Sequence, residues 1–376
     1  MKRYGVSAGG PRLGGGTNDL HVMGEALVAR FVGQEDAIIS SMGFATNSTF
    51  IPALVGKGSL VISDELNHAS IRTGVRFSGA SVRMFKHNDM HALENLLREV
   101  ISQGQPKTHR PWKKILVIVE GLFSMEGTLV DLPAVVELKK KYKVCSPSCP
   151  HFTPADYIGQ FYLFVDEAHS IGAVGPHGRG VCDYFNINPR DIDILMGTFT
   201  KSFGAAGGYV SGSRQLMSIL RLRGFSGSYA EAMTPPVLTQ VIASMGSIMG
   251  ITPSQDTPGK GSLTLNPSNS SSTLKASDVL GEMVHPGPAP ASLLPSWMDL
   301  PPHLRDGTEG RSRLRRLSFN ARYFARALKK LGFITYGHPS SPVIPLLVFN
   351  PGKLPMFSRL MRSVYINSLD YKQPVI

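Results

Sequence analysis

Short apolar runs alternate with stretches of helical period through most of residues 21–250. Ser59–Ser63, Lys114–Val119, Phe161–Val165, Ile192–Met196 and Gly208–Val210 are of strand length. Between them, His21–Phe31 and His91–Gln103 place apolar residues at the three-to-four spacing of a helix with one buried face. Strands that are apolar throughout are covered on both faces, and helices between them make the sheet mostly parallel. The pattern predicts an α/β fold: a mostly parallel sheet with helices on both faces. Two segments break the alternation. Residues 144–160, VCSPSCPHFTPADYIGQ, separate a Lys-rich helix end from a strand, where about two to six residues usually suffice. Residues 251–305 hold nine prolines and many serines without a period, and are expected to be a flexible excursion. Helical pattern returns over Arg313–Leu331, followed by Phe333–Tyr336 and a strand-like Val343–Phe349. The predicted organisation is an N-terminal segment (1–40), a large domain (41–250) carrying the 144–160 insert, a disordered Pro/Ser-rich insert (251–305) and a partial C-terminal domain (306–376).

Composition narrows the class. The 376 residues are 42% hydrophobic and 18% charged, which supports a real core and excludes wholesale disorder. The best apolar run, Ile115–Val119, is far short of the ~18 residues of a membrane span. The start, MKRYGVSAGGPRL, has no apolar signal region. Cys145, Cys149 and Cys182 are too few for a disulfide scaffold. A soluble or membrane-peripheral intracellular protein is expected. The net charge of +12 gathers at Lys139, Lys140, Lys141 and Lys143 and at Arg311, Arg313, Arg315 and Arg316. Neither cluster is interleaved with aromatics that could stack on bases, so nucleic acid is not an expected partner. Both read as solvated helix faces, the sharper readings being an anionic membrane surface or a phosphate-bearing substrate.

The candidate chemistry sits where predicted strands end, the place at which open α/β sheets bind ligands. In FVDEAHSIGAVGPHGRG (164–180), Asp166 closes a strand and His169 follows three residues later. A carboxylate there can hold a cationic ring nitrogen, and the imidazole can orient a phenolic oxygen. The DEAH string also suggests a helicase, but that reading needs a G-x-x-x-x-G-K-[ST] loop and none exists. In GTFTKSFGAAGGYVSG (197–212), Lys201 lies among small residues that desolvate it, which lowers an amine's pKa and makes it a nucleophile. Thr198, Thr200 and Ser202 offer hydroxyls to a phosphate. SMGFATNS (41–48) enters a helix, where the N–H groups of Gly43 and Phe44 could cradle a phosphate. His68 in SDELNHAS could stack on a flat cofactor, and Glu120 and Ser124 in EGLFSMEG are expected to face the same crevice. Cys145, Cys149 and His151 lack a fourth ligand, so no metal site is expected. Asn47 and Asn269 head glycosylation sequons that matter only in a secreted chain.

SDELNHAS, EGLFSMEG, VDEAHSIGAVGPHGRG and GTFTKSFGAAGGY stand in the order and spacing of the α-oxoamine synthases, and the chain resembles that family over most of its length. MGFATNSTFIPALVGKG, KHNDM, RYFARALKKLGF and SPVIPLL belong to the same likeness. The resemblance implies a fold-type-I, aspartate-aminotransferase-like transferase that uses pyridoxal 5'-phosphate (PLP), with an incomplete C-terminal small domain. It implies that Lys201 carries the cofactor, Asp166 partners the ring nitrogen, His169 contacts the ring hydroxyl and His68 stacks on the ring. Gly43, Phe44 and Thr198 would hold the phosphate, with Glu120 and Ser124 lining the pocket. The TFTKSFGAAGGY version is most similar to catalytic long-chain-base subunits of eukaryotic serine palmitoyltransferases. That implies condensation of L-serine with palmitoyl-CoA to 3-ketosphinganine, in a heterodimer with a non-catalytic long-chain-base subunit. It also implies membrane association through that partner at the cytosolic face of the endoplasmic reticulum. The alternatives are another α-oxoamine synthase, using glycine or alanine with a shorter acyl-CoA, and an inactive partner subunit. Glu231 and Ala232 stand where the family has a Thr-Ser pair that binds phosphate across the dimer interface. The family's carboxylate-binding arginine and the eukaryotic membrane segment are not seen in the sequence.

Overall fold

A computed structural model describes residues 2–142, 160–252, 287–347 and 349–369. Cys145, Cys149, His151, Asn269 and nearly all of the 144–160 insert lie outside the described residues. The strands are β1 (Asp36–Ser40), β2 (Leu60–Asp64), β3 (Ser81–Phe85), β4 (Lys114–Glu120), the short β5 (Leu122–Phe123) and β6 (Thr128–Leu129), β7 (Gln160–Asp166), β8 (Ile194–Thr198), β9 (Gly208–Gly212), and the short β10 (Ile251–Thr252) and β11 (Ala289–Pro290). The helices are α1 (Asp19–Val32), α2 (Gly43–Leu54), α3 (Ala69–Ser78), α4 (Met90–Gln103), α5 (Leu132–Tyr142), α6 (Val181–Phe185), α7 (Arg214–Arg223), α8 (Phe225–Tyr229), α9 (Pro235–Met249), α10 (Pro302–Arg305), α11 (Thr308–Lys330) and α12 (Leu354–Leu369).

Seven strands form one sheet in the order β1-β9-β8-β7-β4-β2-β3. Every pairing is parallel except those of β9, which runs against both neighbours. The other six strands therefore share one direction, and their C-terminal ends lie along one edge. Alternation along β4 divides the core. Ile115, Val117 and Val119 pack with residues of α1, α4, α5 and α9, whereas Leu116 and Ile118 pack with residues of α2, α3 and α7. Both faces are covered, as the continuously apolar runs require. Gly74 lets α3 press onto α2: a Cβ there would lie 2.6 Å from the backbone oxygen of Asn47.

Three expectations are corrected. Val343–Phe349 is not a strand: described residues there pair at a single bridge, Thr335 with Leu346. Pro342 and Pro345 remove the N–H donors that a ladder needs. The Lys-rich end of α5 is not a freely solvated face. Lys139 is buried, 2.6 Å from both Asp193 Oδ2 and the Asp191 carbonyl oxygen. Lys140 reaches Asp191 at 3.0 Å and Lys141 reaches Glu94 at 2.7 Å. Of the proline-rich 251–305 segment, residues 253–286 lie outside the described residues, but the remainder is packed. β10 pairs with β11, and Ala289, Leu294 and Leu300 join the main core.

Candidate active site

The shared C-terminal edge of the sheet brings the sequence-predicted groups together. β4 and β7 run side by side in a register that sets Glu120 opposite Asp166, both buried. Asp166 Oδ2 accepts from Asn47 Nδ2 at 2.7 Å, and its Oδ1 accepts from the Ala168 N–H at 2.9 Å. Beyond β2, His68 caps α3, its Nδ1 accepting from the Ser70 N–H at 3.1 Å and lying 2.7 Å from Ser70 Oγ. The His68 backbone N–H donates to the Glu120 carboxyl group. The Phe44 ring stands edge-on to the His68 ring, centroids 6.2 Å apart.

The N-terminus of α2 faces the end of β8. The first amides of a helix have no internal acceptor, and Met42 at the cap position supplies no side-chain bond to them. Thr198 Oγ1 donates to the Gly207 carbonyl oxygen at 2.8 Å and lies 2.9 Å from Thr200 Oγ1. Gly43 keeps this space open, since a Cβ there would lie 2.8 Å from Thr198 Oγ1. Three residues beyond β8, Lys201 stands exposed at the cavity mouth.

Burial and proximity retune the charges. Loss of water, with the Asp166 charge adding to it, pushes Glu120 up to about 9. Burial raises Asp166 as well, but the bonds from Asn47 and Ala168 and the charge of Lys201 oppose that rise. Glu120, which accepts only the His68 backbone bond against the same cost, keeps the proton, and the pair's negative charge rests on Asp166. Burial, then the nearby Lys201 and His68, lowers His169 to about 4, so its ring is neutral at physiological pH. Lys201 is exposed at the cavity mouth, yet partial loss of water there still lowers its amine, with Asp166 and Glu120 partly offsetting it.

Gly43, Phe44, His68, Glu120, Asp166, His169, Thr198 and Lys201 all line one cavity of about 270 Å³. Ser124 does not line it; the residue lies in the turn from β5 to β6, which the Gly127 N–H bond to Phe123 closes. Glu231 is also elsewhere, bridged to Pro11 and accepting from Ser7 Oγ at 3.3 Å. Sequence reasoning missed Asn47 and Ser70, whose signal was their place within two motifs already singled out. A larger cavity of about 490 Å³ opens around Lys114, Tyr162 and Arg190 at the strands' opposite ends. Its size is no argument: Lys114 and Tyr162 are shifted by burial there, but Glu120, Asp166, His169 and Lys201 are shifted together and converge on the smaller one. No cluster of His, Cys, Asp or Glu among the described residues could hold a metal ion.

The model of the family "Aminotransferase class I and II" matches residues 1–146 and 156–246. The chain is 49% identical over 361 residues to serine palmitoyltransferase 2 of Saccharomyces cerevisiae, covering 96% of this chain and 52% of that protein. It is 43% identical over 362 residues to serine palmitoyltransferase 3 of Homo sapiens, covering 96% and 53%. The chain thus spans about half the length of the curated relatives it matches. Among solved structures, a serine palmitoyltransferase from S. paucimobilis with bound PLP–myriocin superposes with a TM-score of 0.65 at 24% identity, covering 94% of this chain and 69% of that one. That likeness shows the fold: a fold-type-I transferase sheet.

Proposed function

Because this chain belongs to the aminotransferase class I and II family, we propose that it is a PLP-dependent acyltransferase that condenses L-serine with palmitoyl-CoA, with loss of CO2, to 3-ketosphinganine. The observation that carries the reading is the meeting of a buried carboxylate, Asp166, an amine of lowered pKa, Lys201, and an uncapped helix N-terminus at Gly43 around one cavity. The names of the 43–49% identical relatives support the choice of substrates. In this reading residues 41–250 are the cofactor-binding domain and 306–376 are part of the C-terminal domain. A non-catalytic long-chain-base subunit is the partner, and through it the chain attaches to the cytosolic face of the endoplasmic reticulum membrane. No helix among the described residues is long and apolar enough to cross a membrane.

The residues fit the cofactor. A desolvated carboxylate suits a protonated ring nitrogen, and the cradle that a Cβ at Gly43 would fill suits a phosphate. When bound, PLP supplies an electron sink for negative charge at the amino acid's α-carbon. The chain's own groups do the rest. Asp166, as the carboxylate, would keep the ring nitrogen protonated. His169, neutral, would donate to the ring oxygen, and His68 would stack on the ring. The Gly43 and Phe44 amides and the Thr198 hydroxyl would hold the phosphate. Lys201, with its lowered pKa, takes the proton from the serine Cα. Protonated Glu120 adds no second negative charge beside the substrate carboxylate.

The test is product analysis with PLP, labelled L-serine and palmitoyl-CoA, with glycine, alanine and shorter acyl-CoAs as competitors. Formation of 3-ketosphinganine with release of CO2 is expected. Preference for glycine with acetyl-CoA would move the assignment to another α-oxoamine synthase.

A further inference from the structure

A chain of hydrogen bonds runs within the cavity wall and joins the two groups proposed to meet the cofactor ring at its nitrogen and at its face. Asn47 Nδ2 lies 2.7 Å from Asp166 Oδ2 and 2.9 Å from Ser70 Oγ, and Ser70 Oγ lies 2.7 Å from His68 Nδ1. Asn47 and Ser70 are both almost wholly buried, so water does not compete for these bonds.

The direction of every hydrogen follows from Asp166. An ionised carboxylate only accepts, so the Asn47 atom facing it is the nitrogen and not the oxygen. The second hydrogen of that nitrogen goes to Ser70 Oγ and fills an acceptor position there. The Ser70 hydroxyl hydrogen is then left to donate to His68 Nδ1, which also receives the Ser70 backbone N–H at 3.1 Å. A nitrogen receiving two hydrogens is the lone-pair nitrogen, so the neutral His68 ring carries its proton on Nε2. The arrangement has a cost: Asn47 Oδ1 is buried with no partner. An orphaned buried acceptor persists only where another requirement over-determines the side chain, and here that requirement is Asp166.

We propose that Asn47 is a positioning residue: its two amide hydrogens hold Asp166 as the carboxylate and turn the Ser70 hydroxyl onto His68 Nδ1. One side chain thus sets both the charge at the ring nitrogen and the tautomer of the ring against its face. Gly74 makes this possible, because only without a Cβ does α3 come close enough to α2 for Asn47 to reach Ser70. The proposal rests on the PLP reading for its consequence but not for its geometry.

Two measurements separate the proposal from that reading. In the cofactor-free chain labelled with 15N-histidine, His68 is assigned by comparison with His68→Gln at a pH where the ring is neutral. Nδ1 is expected without a proton in the wild type, and its resonance should move in both Ser70→Ala and Asn47→Leu. PLP dissociation constants are then measured against pH. Asn47→Leu, and Asn47→Asp as a second variant in case the first fails to fold, should weaken PLP by about 10- to 100-fold, increasingly as pH falls. Ser70→Ala, which keeps the bond to Asp166, should stay within about threefold. A proton on His68 Nδ1, or wild-type affinity and pH profile in both Asn47 variants, would overturn the proposal. Failure of the wild type to bind PLP would overturn the cofactor reading instead, and the histidine resonances would still decide the positioning role.

Discussion

Glu120 is the residue at which the site's physics is most open to test without any substrate. Its folded value of about 9 stands far above its ordinary 4.5, so between those pH values the folded chain keeps a proton that the unfolded chain has lost. Its contribution is therefore full below pH 4.5 and is lost as pH rises, by up to about 1.4 kcal/mol per pH unit. Glutamine cannot ionise. Melting curves of wild type and Glu120→Gln should diverge between about pH 6 and 9, the variant gaining; parallel pH profiles would contradict the assignment. Gly43 tests the cradle: the Cβ of Gly43→Ala would meet Thr198 Oγ1 at 2.8 Å, so PLP binding should weaken about tenfold with little change in melting temperature. At this scale the sequence was informative about chemistry that ends strands. Asp166, Lys201 and Thr198 each close or follow an apolar run, and that alone placed them at one edge. Asn47 lay within a motif already singled out, but its role was not legible, because that role depends on which side chains face one another across two helices, and no periodicity encodes that.

Two elements show where packing overrides local preference. In α3, alanine at Gly74 would gain about 1 kcal/mol of helix propensity. The clash of its Cβ with the Asn47 backbone oxygen at 2.6 Å should cost about 1–3 kcal/mol. Gly74→Ala is therefore expected to be the less stable chain in urea, and a gain in midpoint would mean α2 can retreat. In α5, Lys139 is an inward cation held by Asp193 and the Asp191 carbonyl. Lys139→Met should cost about 3 kcal/mol, a loss that a solvated lysine would not produce. A run of lysines reads alike whether solvated or paired, since the answering carboxylates come from residues 94, 191 and 193, distant in sequence. Strands β1 and β3 were missed because neither stands out as an apolar run: in β1 Asp36 and Ser40 bracket only three apolar residues, and β3 leaves Ser81 to Met84 exposed. Val343–Phe349 erred the other way, its apolar content outweighing the prolines that deny it a ladder.

For the whole molecule, the alternation of strand and helix was enough to predict a mostly parallel sheet covered on both faces, because that architecture is the way to bury continuously apolar strands. The path of 287–305 back onto the core was not legible, since Ala289, Leu294 and Leu300 are scattered among prolines and carry no period. The account's central claim is that this fold assembles a working PLP site around Lys201 and Asp166. Ligand that binds only the folded state at a hundred times its dissociation constant adds about 2.7 kcal/mol of stability, so PLP should raise the melting temperature of the wild type and much less that of Asp166→Ala. The most direct measurement is the visible absorption of the purified chain titrated with PLP, beside Lys201→Ala. The account predicts a new band in the wild type that L-serine shifts and that the variant lacks. No band in the wild type, or the same band in both chains, would contradict it.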